Sequence, residues 1–304
     1  FSARMIRLLM VGWLVWIGAS LNWWPARTLV VSIITITVAA CAWGWYVLRK
    51  RSGRPIELPS VRVWLAALGI WGTGFAFFLM LRAIYPDFWQ TWFGGEKPFE
   101  LAYLRAIARS TEFPPYDPWY SGGIINYYYY GWHLVATVTR LTGLGVSLGF
   151  QLAVATIPAL LILQIVGLTT TITSSWRQRR PRPTVIIAAV TSVVAVSIIG
   201  NLDALAQIIS MRGLPRTGFD FWRSTRVIDF TINEFPYFTA IWADLHPHMI
   251  DLPVIMLVLT LVSGLVLAPP RDRQTLIVIF SLLALALGTA AVTNSWDAPL
   301  CAGT

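Results

Sequence analysis

Charged residues are scarce in this sequence. They make up 12% of the 304 residues, whereas hydrophobic residues make up 56%, and the mean hydropathy is +0.64. An ordinary soluble domain carries roughly 25% charged residues. The shortage of charge argues against a soluble globular protein and predicts an all-α membrane protein.

Cysteine is scarce as well. The chain has two, Cys41 inside an apolar run and Cys301 close to the end of the sequence. Two cysteines placed in this way provide neither a disulfide framework nor the spacing of metal ligands. The sequence therefore predicts neither a disulfide-stabilised scaffold nor a cysteine metal centre.

Uncharged runs recur along the whole chain. Most of them approach the ~20 residues that a helix needs to cross a bilayer, and they lie near residues 8–21, 28–48, 63–81, 141–175, 184–202, 252–270 and 275–296. They predict one polytopic helix bundle over residues 1–304, with about seven spans in the plasma membrane. Because the sequence begins with Phe1 and stops soon after a polar motif, we expect it to be a fragment of a longer protein.

The net charge of +9 is positive, but it does not indicate nucleic-acid binding. Basic residues cluster between the apolar runs, as they do in cytoplasmic loops of membrane proteins. Three clusters are assigned to the cytoplasmic side: Arg49, Lys50, Arg51 and Arg54; Arg177, Arg179, Arg180 and Arg182; Arg271 and Arg273.

The number of crossings between the first two clusters must then be even. Three candidate segments lie between these clusters, at 63–81, 124–139 and 141–175. One of the three therefore does not cross the membrane. The tyrosine segment at 124–139 is the best candidate, because it makes only ~24 Å of helix and begins with polar aromatic residues. We interpret it as an interfacial helix. In the alternative topology it crosses, and the second cluster faces outwards.

The non-crossing interpretation brings the unusual motifs to one extracytoplasmic face. Two long loops lie there, at 85–140 with the interfacial helix and at 205–248. Loops of this length in a compact protein are commonly functional. The alternative topology would divide the motifs between the two sides of the membrane.

The first loop carries two acids, Glu96 and Glu100, at the start of a predicted helix. Residues 98–110 have apolar positions at helical spacing behind Pro98. A carboxylate is stabilised at a helix N-terminus. Glu100 is therefore either an ordinary first-turn acid or a catalytic or metal-binding carboxylate held above the membrane.

The second loop contains the sequence "ADLHPH". Pro247 favours an extended conformation at His246, and in an extended segment Asp244, His246 and His248 share one face. A carboxylate with two imidazoles can bind a divalent metal or act as an acid/base group. A polar loop that caps a helix would give the same pattern.

Arginines on the predicted outer side run against the usual charge bias and suggest an anionic ligand such as phosphate. The alternative is local pairing with Asp220, Asp229 and Glu234. The arginines concerned are Arg212, Arg216, Arg223 and Arg226.

Six motifs in order, "EKPFELAYLRAI", "FPPYDPW", "NYYYYG", "INEFPYF", "ADLHPH" and "TNSWD", resemble those of the YYY membrane proteins, a family with a domain of unknown function. That family is similar in layout to the GT-C superfamily of polyprenyl-phosphate-sugar-dependent glycosyltransferases. The resemblance implies an acidic pair in the first outer loop, matched by Glu96 and Glu100. It also implies an interfacial helix, matched by the tyrosine segment, and a later acid, matched by Asp203. The usual Asp-Glu pair is not present as such.

The resemblance implies glycosyl transfer from a lipid-linked sugar phosphate at a GT-C-like outer-face cavity. Expected partners are membrane lipid and that donor, with Mg²⁺ or Mn²⁺ as the cofactor. A non-catalytic subunit of a larger assembly and a secondary transporter are the alternatives. The expected catalytic residues are Glu100, Glu96, Asp244 and His246; the metal ligands His246, His248 and Asp244; the substrate-binding residues Tyr127, Tyr128, Tyr129, Tyr130, Trp119, Asp117, Arg226, Glu234 and Asp203.

Overall fold

The computed structural model describes residues 1–53, 58–84, 86–87, 95–175, 182–211, 219–220 and 222–303. The secondary structure in these ranges is helical. The α-helices are α1 (Ala3–Ser20), α2 (Thr28–Arg51), α3 (Val61–Ile84), α4 (Lys97–Arg109), α5 (Tyr130–Thr142), α6 (Val146–Ser175), α7 (Arg182–Val194), α8 (Asp203–Ser210), α9 (Pro236–Trp242), α10 (Pro247–Leu267), α11 (Arg273–Thr293) and α12 (Asp297–Ala302). A π-helical turn at Ala195–Ile199 extends α7, and Arg223–Thr225 form a 3₁₀ turn.

Six of the described helices are long and apolar enough to span a membrane: α1, α2, α3, α6, α10 and α11. A seventh span results if α7 and α8, bent by 79° at a short break, are counted together. The predicted all-α polytopic bundle of about seven spans is confirmed.

Local chemistry explains several helix ends. Proline occupies the first turn of α4, α9 and α10, where its missing N–H costs nothing. The side chain of Asp272 caps α11 by accepting a hydrogen bond from the Thr275 amide at 2.9 Å. The helix predicted at residues 98–110 is confirmed by α4.

The short helix α5 lies inside the bundle and packs against α1, α2, α4, α6, α10 and α11. Trp132 and His133 are buried, and a ring nitrogen of His133 lies 2.9 Å from the carbonyl oxygen of Gly12. Its 13 residues make about 20 Å of helix, less than the ~30 Å of a hydrocarbon core. The helix begins at Tyr130, several residues later than the segment predicted at 124–139. Its depth in the membrane stays a prediction.

An ion pair brings the first and third basic clusters to the same end of the bundle. Nη1 of Arg49, in the last turn of α2, lies 3.0 Å from Oδ1 of Asp272 at the start of α11. The spans between them are α3, α6, the bent pair and α10, an even number that agrees with a non-crossing α5. Arg177, Arg179 and Arg180 of the second cluster lie outside the described residues.

Candidate functional site

The two predicted outer loops meet at the other end of the bundle, where α3 ends and α10 begins. Leu245 joins them through both of its backbone polar groups. Its amide donates to Oε2 of Glu100 at 2.7 Å, and its carbonyl accepts from Nε1 of Trp132 at 2.8 Å. The "ADLHPH" segment is thus fixed between α4 and α5.

Glu100 and Glu96 approach the same imidazole from different environments. The Glu100 side chain has no exposed surface, and its Oε1 lies 3.4 Å from Nδ1 of His246. Burial raises the pKa of Glu100, opposed by His246 and by the Leu245 amide. The Glu96 side chain is 57% exposed, with Oε2 at 3.8 Å from the same nitrogen. Solvent and ligands therefore reach Glu96 but not Glu100.

The two histidines converge because the chain turns from extended to helical between them. His246 is extended, as predicted from Pro247, which is the first residue of α10. The two imidazole centroids are 5.0 Å apart. Burial lowers the pKa of His246, but the adjacent carboxylate of Glu100, with the charges of Glu234 and Glu96, raises it to about 9.

His248 lies between the second loop and α9. Its Nε2 is 3.7 Å from Oε2 of Glu234 and 3.3 Å from Oγ1 of Thr239. Burial raises the pKa of Glu234, and Glu96 adds to this, while His246 and Arg226 oppose it. Glu234, predicted as a substrate-binding residue, therefore contacts the histidine pair.

Asp244 pairs with Lys97. Its Oδ1 lies 3.5 Å from Nζ of Lys97, and both side chains are buried. The same ammonium group lies 4.9 Å from the centroid of the Trp242 ring. Burial, with the charge of Glu100, raises the pKa of Asp244 to about 8 although Lys97 opposes the shift, and burial lowers the pKa of Lys97. Asp244 is thus paired with a cation rather than turned towards His248.

Gly95 allows the start of α4 to pack closely on this pair. Its φ of +60° lies in the left-handed region. A Cβ atom there would lie 2.4 Å from Nε1 of Trp242 and 2.9 Å from Oδ2 of Asp244. Both the backbone conformation and the available space require glycine.

Aromatic rings form one side of the site. Trp222 lies 5.1 Å from Trp242 and 6.0 Å from Phe238, centroid to centroid. The guanidinium of Arg226 lies 5.8 Å from the Trp222 ring, and it donates to the carbonyl of Thr225 at 3.0 Å. Arg226 itself is exposed, so its remaining donors face solvent or a ligand.

The four consecutive tyrosines point in different directions. Tyr127 is exposed and stacks on Trp132 at 6.0 Å, and its pKa is raised by burial and by the charges of Glu96 and Glu100. The other three contact the bundle: the Tyr128 hydroxyl lies 2.7 Å from Oγ of Ser295, the Tyr129 hydroxyl accepts from Nε1 of Trp16, and Tyr130 is buried against Trp16 and His133. Tyr127 is therefore the member of the motif that we place beside the acids.

Asp117 and Trp119 form a turn near the rings of Tyr103 and Tyr127. Oδ1 of Asp117 accepts from the Trp119 amide at 2.7 Å, and the Trp119 ring is exposed. Burial, followed by the charge of Asp117, raises the pKa of Tyr103, whose ring lies 6.3 Å from Tyr127. Tyr103 therefore links Asp117 and Trp119 to Tyr127 and the site.

Asp203 is held by a local ion pair. Its Oδ1 lies 2.6 Å from Nη2 of Arg223, and its Oδ2 accepts from Gln207 at 2.7 Å. Among the arginines predicted to bind an anion, Arg223 is therefore paired, Arg226 is exposed, and Arg212 and Arg216 lie outside the described residues.

The residues that could together hold a metal ion differ from those expected. Within the described part of the chain, Glu234, His246 and His248 each offer one ligand atom, and these atoms lie within 4.8 Å of one another. The expected set contained Asp244 in place of Glu234. Lys97, Trp222 and Trp242 also belong to the site but were not predicted from the sequence, although the glycine pair before Glu96 is typical of a close backbone approach.

Comparisons with known proteins give the family but no activity. A family model described as an uncharacterized membrane protein, DUF2298, matches residues 10–304. No curated protein and no solved structure matched the sequence.

Proposed function

The chain belongs to the DUF2298 family of uncharacterized membrane proteins, and we propose that it is a membrane glycosyltransferase. It transfers a sugar from a lipid-linked sugar phosphate to a hydroxyl acceptor on the extracytoplasmic face of the plasma membrane. The observation that carries this proposal is the convergence of Glu96 and Glu100 on His246. Exposed Arg226 is linked to this group by its electrostatic interaction with Glu234.

Glu96 is assigned as the general base. The acceptor oxygen attacks the anomeric carbon of the sugar, Glu96 takes the hydroxyl proton, and the carbon–oxygen bond to the phosphate breaks. The bonding electrons remain on the lipid phosphate. Glu100 is also predicted from the sequence to be catalytic, but its burial and its hydrogen bond to the Leu245 amide keep it from a substrate. The carboxylate of Glu96 is 57% exposed, so an acceptor hydroxyl can approach it as a general base requires.

Glu100 acts as a positioning residue in this proposal. It holds the Leu245 amide with one oxygen and faces Nδ1 of His246 with the other. Preorganised groups stabilise a transition state without reorganising during the reaction. Loss of Glu100 would therefore alter the site through the position of His246.

Arg226 supplies the contact to the departing lipid phosphate. A guanidinium can donate two parallel hydrogen bonds to a phosphate. The exposed rings of Tyr127 and Trp119 provide apolar faces on which a sugar ring can stack. Trp222 lies beneath the guanidinium and limits its conformations.

An apolar cavity of about 300 Å³ within the bundle supports a lipid-linked donor. It lies among α1, α3, α5, α6 and α10, and its lining includes Trp71, Phe75, Leu134, Ile250 and Pro253. Ile250 and Pro253 are within two turns of His248 on α10, so a lipid chain in the cavity would bring its phosphate end towards the polar site.

One observation favours a secondary transporter as the second candidate. Asp251 lies within the candidate span α10 and has no exposed surface. Its carboxyl group interacts with that of Asp297. Carboxylates inside membrane spans commonly mark ion pathways. A transporter would depend on Asp251 and tolerate Glu96→Gln, whereas the transferase would depend on Glu96.

The proposal is tested with purified protein in liposomes that contain undecaprenyl-phosphate-linked hexoses and pentoses, with a membrane extract as the source of acceptors. Mass spectrometry measures the undecaprenyl phosphate released. The transferase releases it only when donor and acceptor are both present. Release equal to that of protein-free liposomes would contradict the proposal.

A further inference from the structure

We propose that Glu234, His246 and His248 bind a divalent transition-metal ion of the zinc class, with one coordination position left open. The three residues come from two elements, since Glu234 precedes α9 and the histidines lie at the start of α10. Their candidate ligand atoms lie within 4.8 Å of one another.

One of the distances between ligand atoms is close to that in a metal centre, and none exceeds 4.8 Å. Two ligands of a tetrahedral zinc ion, each about 2.1 Å from the metal, lie roughly 3.4 Å apart. Nε2 of His248 and Oε2 of Glu234 are 3.7 Å apart. The three side chains are only partly buried, so small rotations about their side-chain bonds would bring the ligand atoms into contact with an ion.

Glu100 provides the support that a ligating histidine needs. Metal-bound histidines usually donate their other ring N–H to a carboxylate, which fixes the tautomer and raises ligand basicity. Nδ1 of His246 lies 3.4 Å from Oε1 of Glu100, a carboxylate with no exposed surface. This arrangement leaves Nε2 of His246 as the atom available to a metal.

Glu96 adds a further negative charge at 3.8 Å from His246. The negative charges of Glu96 and Glu100, at 3.8 and 3.4 Å from His246, favour a divalent cation beside the imidazole. The electrostatic surroundings therefore suit a metal ion.

The ligand chemistry selects the class of ion. Two imidazoles and one carboxylate suit Zn²⁺ and similar transition metals, whereas Mg²⁺ takes oxygen ligands in near-ideal octahedral geometry. Three protein ligands with an open fourth position are typical of catalytic zinc sites. We therefore replace the expected Asp244-containing set for Mg²⁺ or Mn²⁺ with this nitrogen-rich set.

An ion at this site would hold a phosphate oxygen of the donor at its open position. That catalytic role rests on the proposed function, but ion binding itself does not. Equilibrium binding in the absence of any sugar donor therefore separates the two. Ion binding without sugar transfer would support the metal site and contradict the transferase. Sugar transfer without ion binding would support the transferase and contradict the metal site.

The experiment uses the full chain with Cys41→Ser and Cys301→Ser, purified without a histidine tag and stripped with a chelator. Zinc affinity is measured by competition with a fluorescent chelator, and metal content by mass spectrometry. We expect one tightly bound ion per chain. His248→Gln and Glu234→Gln should lower zinc affinity at least 100-fold, and Glu100→Gln about 10- to 100-fold.

Glu112→Gln, at an exposed acid of the first loop, is the matched control and should leave zinc affinity unchanged. Thermal unfolding establishes that each variant is folded. Should the ligand variants fail to fold, Co²⁺ bound to the wild-type chain decides, since a tetrahedral site with nitrogen ligands gives intense visible absorption. Zinc affinity that is equal in wild type and folded His248→Gln, or wild-type protein without that Co²⁺ absorption, would overturn the proposal.

Discussion

Nδ1 of His246 lies 3.4 Å from Oε1 of Glu100, and this contact joins the two large loops of the protein. The other oxygen of the same carboxylate accepts a hydrogen bond from the Leu245 amide. One buried side chain thus sets both the backbone and the imidazole of the "ADLHPH" segment. The two loops form one site, and changes in the first loop should alter the chemistry of the second.

The first prediction concerns Glu100. Glu100→Gln keeps an oxygen for the Leu245 amide, so we expect a folded protein whose kcat for transfer falls at least 10-fold while KM for the donor changes little. Glu100→Ala leaves the buried amide without its acceptor, which costs about 1–3 kcal/mol of unfolding free energy. Steady-state kinetics and thermal unfolding measure the two effects. Equal stability of both variants would show that the Leu245 hydrogen bond does not matter.

A second prediction separates two requirements at Gly95. Gly95→Ala must adopt a positive φ and also place Cβ 2.4 Å from Nε1 of Trp242. Gly122→Ala also has a positive φ, of +78°, but its Cβ meets nothing within 4 Å. Gly122→Ala should cost about 1 kcal/mol of unfolding free energy, and Gly95→Ala should cost at least 1 kcal/mol more. Thermal unfolding in detergent measures both losses. Identical losses would show that the close approach of Gly95 to Trp242 does not affect stability.

The third prediction concerns the phosphate contact of Arg226. Arg226→Lys keeps the charge but cannot donate two parallel hydrogen bonds, so affinity for undecaprenyl phosphate should fall about 10-fold. Arg223→Lys is the control, because that arginine pairs with Asp203. Titration of each variant with undecaprenyl phosphate gives the affinities. A larger loss of affinity in Arg223→Lys than in Arg226→Lys would show that Arg223, and not Arg226, binds the phosphate.

Topology is the subject of the fourth prediction. Single cysteines are introduced as Trp119→Cys and Ser52→Cys in a chain that lacks Cys41 and Cys301. With a membrane-impermeant thiol reagent on intact cells, residue 119 should be labelled and residue 52 should not. Ser52 lies at the end of the bundle where Arg49 pairs with Asp272, which the charge bias assigns to the cytoplasmic side. Labelling of residue 52 alone would reverse the orientation.

The sequence was most informative where hydrophobicity decides the structure. Long apolar runs predicted the spans, and Pro98 with helical spacing predicted α4, because bilayer thickness and backbone hydrogen bonding leave few alternatives. The tyrosine helix was placed too early: Tyr127 packs on Trp132 before the helix begins at Tyr130. Periodicity does not reveal such contacts.

The site was predictable as a set of residue types but not as a geometry. Alternation in "ADLHPH" suggested that Asp244 would join both histidines. Instead Lys97 attracts Asp244, and the turn into α10 brings His248 towards Glu234. Lys97 and Asp244 lie far apart in the chain, and Glu234 is separated from His248 by α9, so a single sequence carries no signal for either pairing.

Glu96 is the proposed base of a glycosyl transfer reaction. The most direct test of this role is the rate at which undecaprenyl phosphate is released from lipid-linked sugars by liposomes containing Glu96→Gln, beside wild type and the control Glu112→Gln. We predict a rate at least 100-fold below wild type for Glu96→Gln, with unchanged thermal unfolding, and a rate within about twofold of wild type for Glu112→Gln. A Glu96→Gln protein that releases undecaprenyl phosphate as fast as wild type would contradict the account.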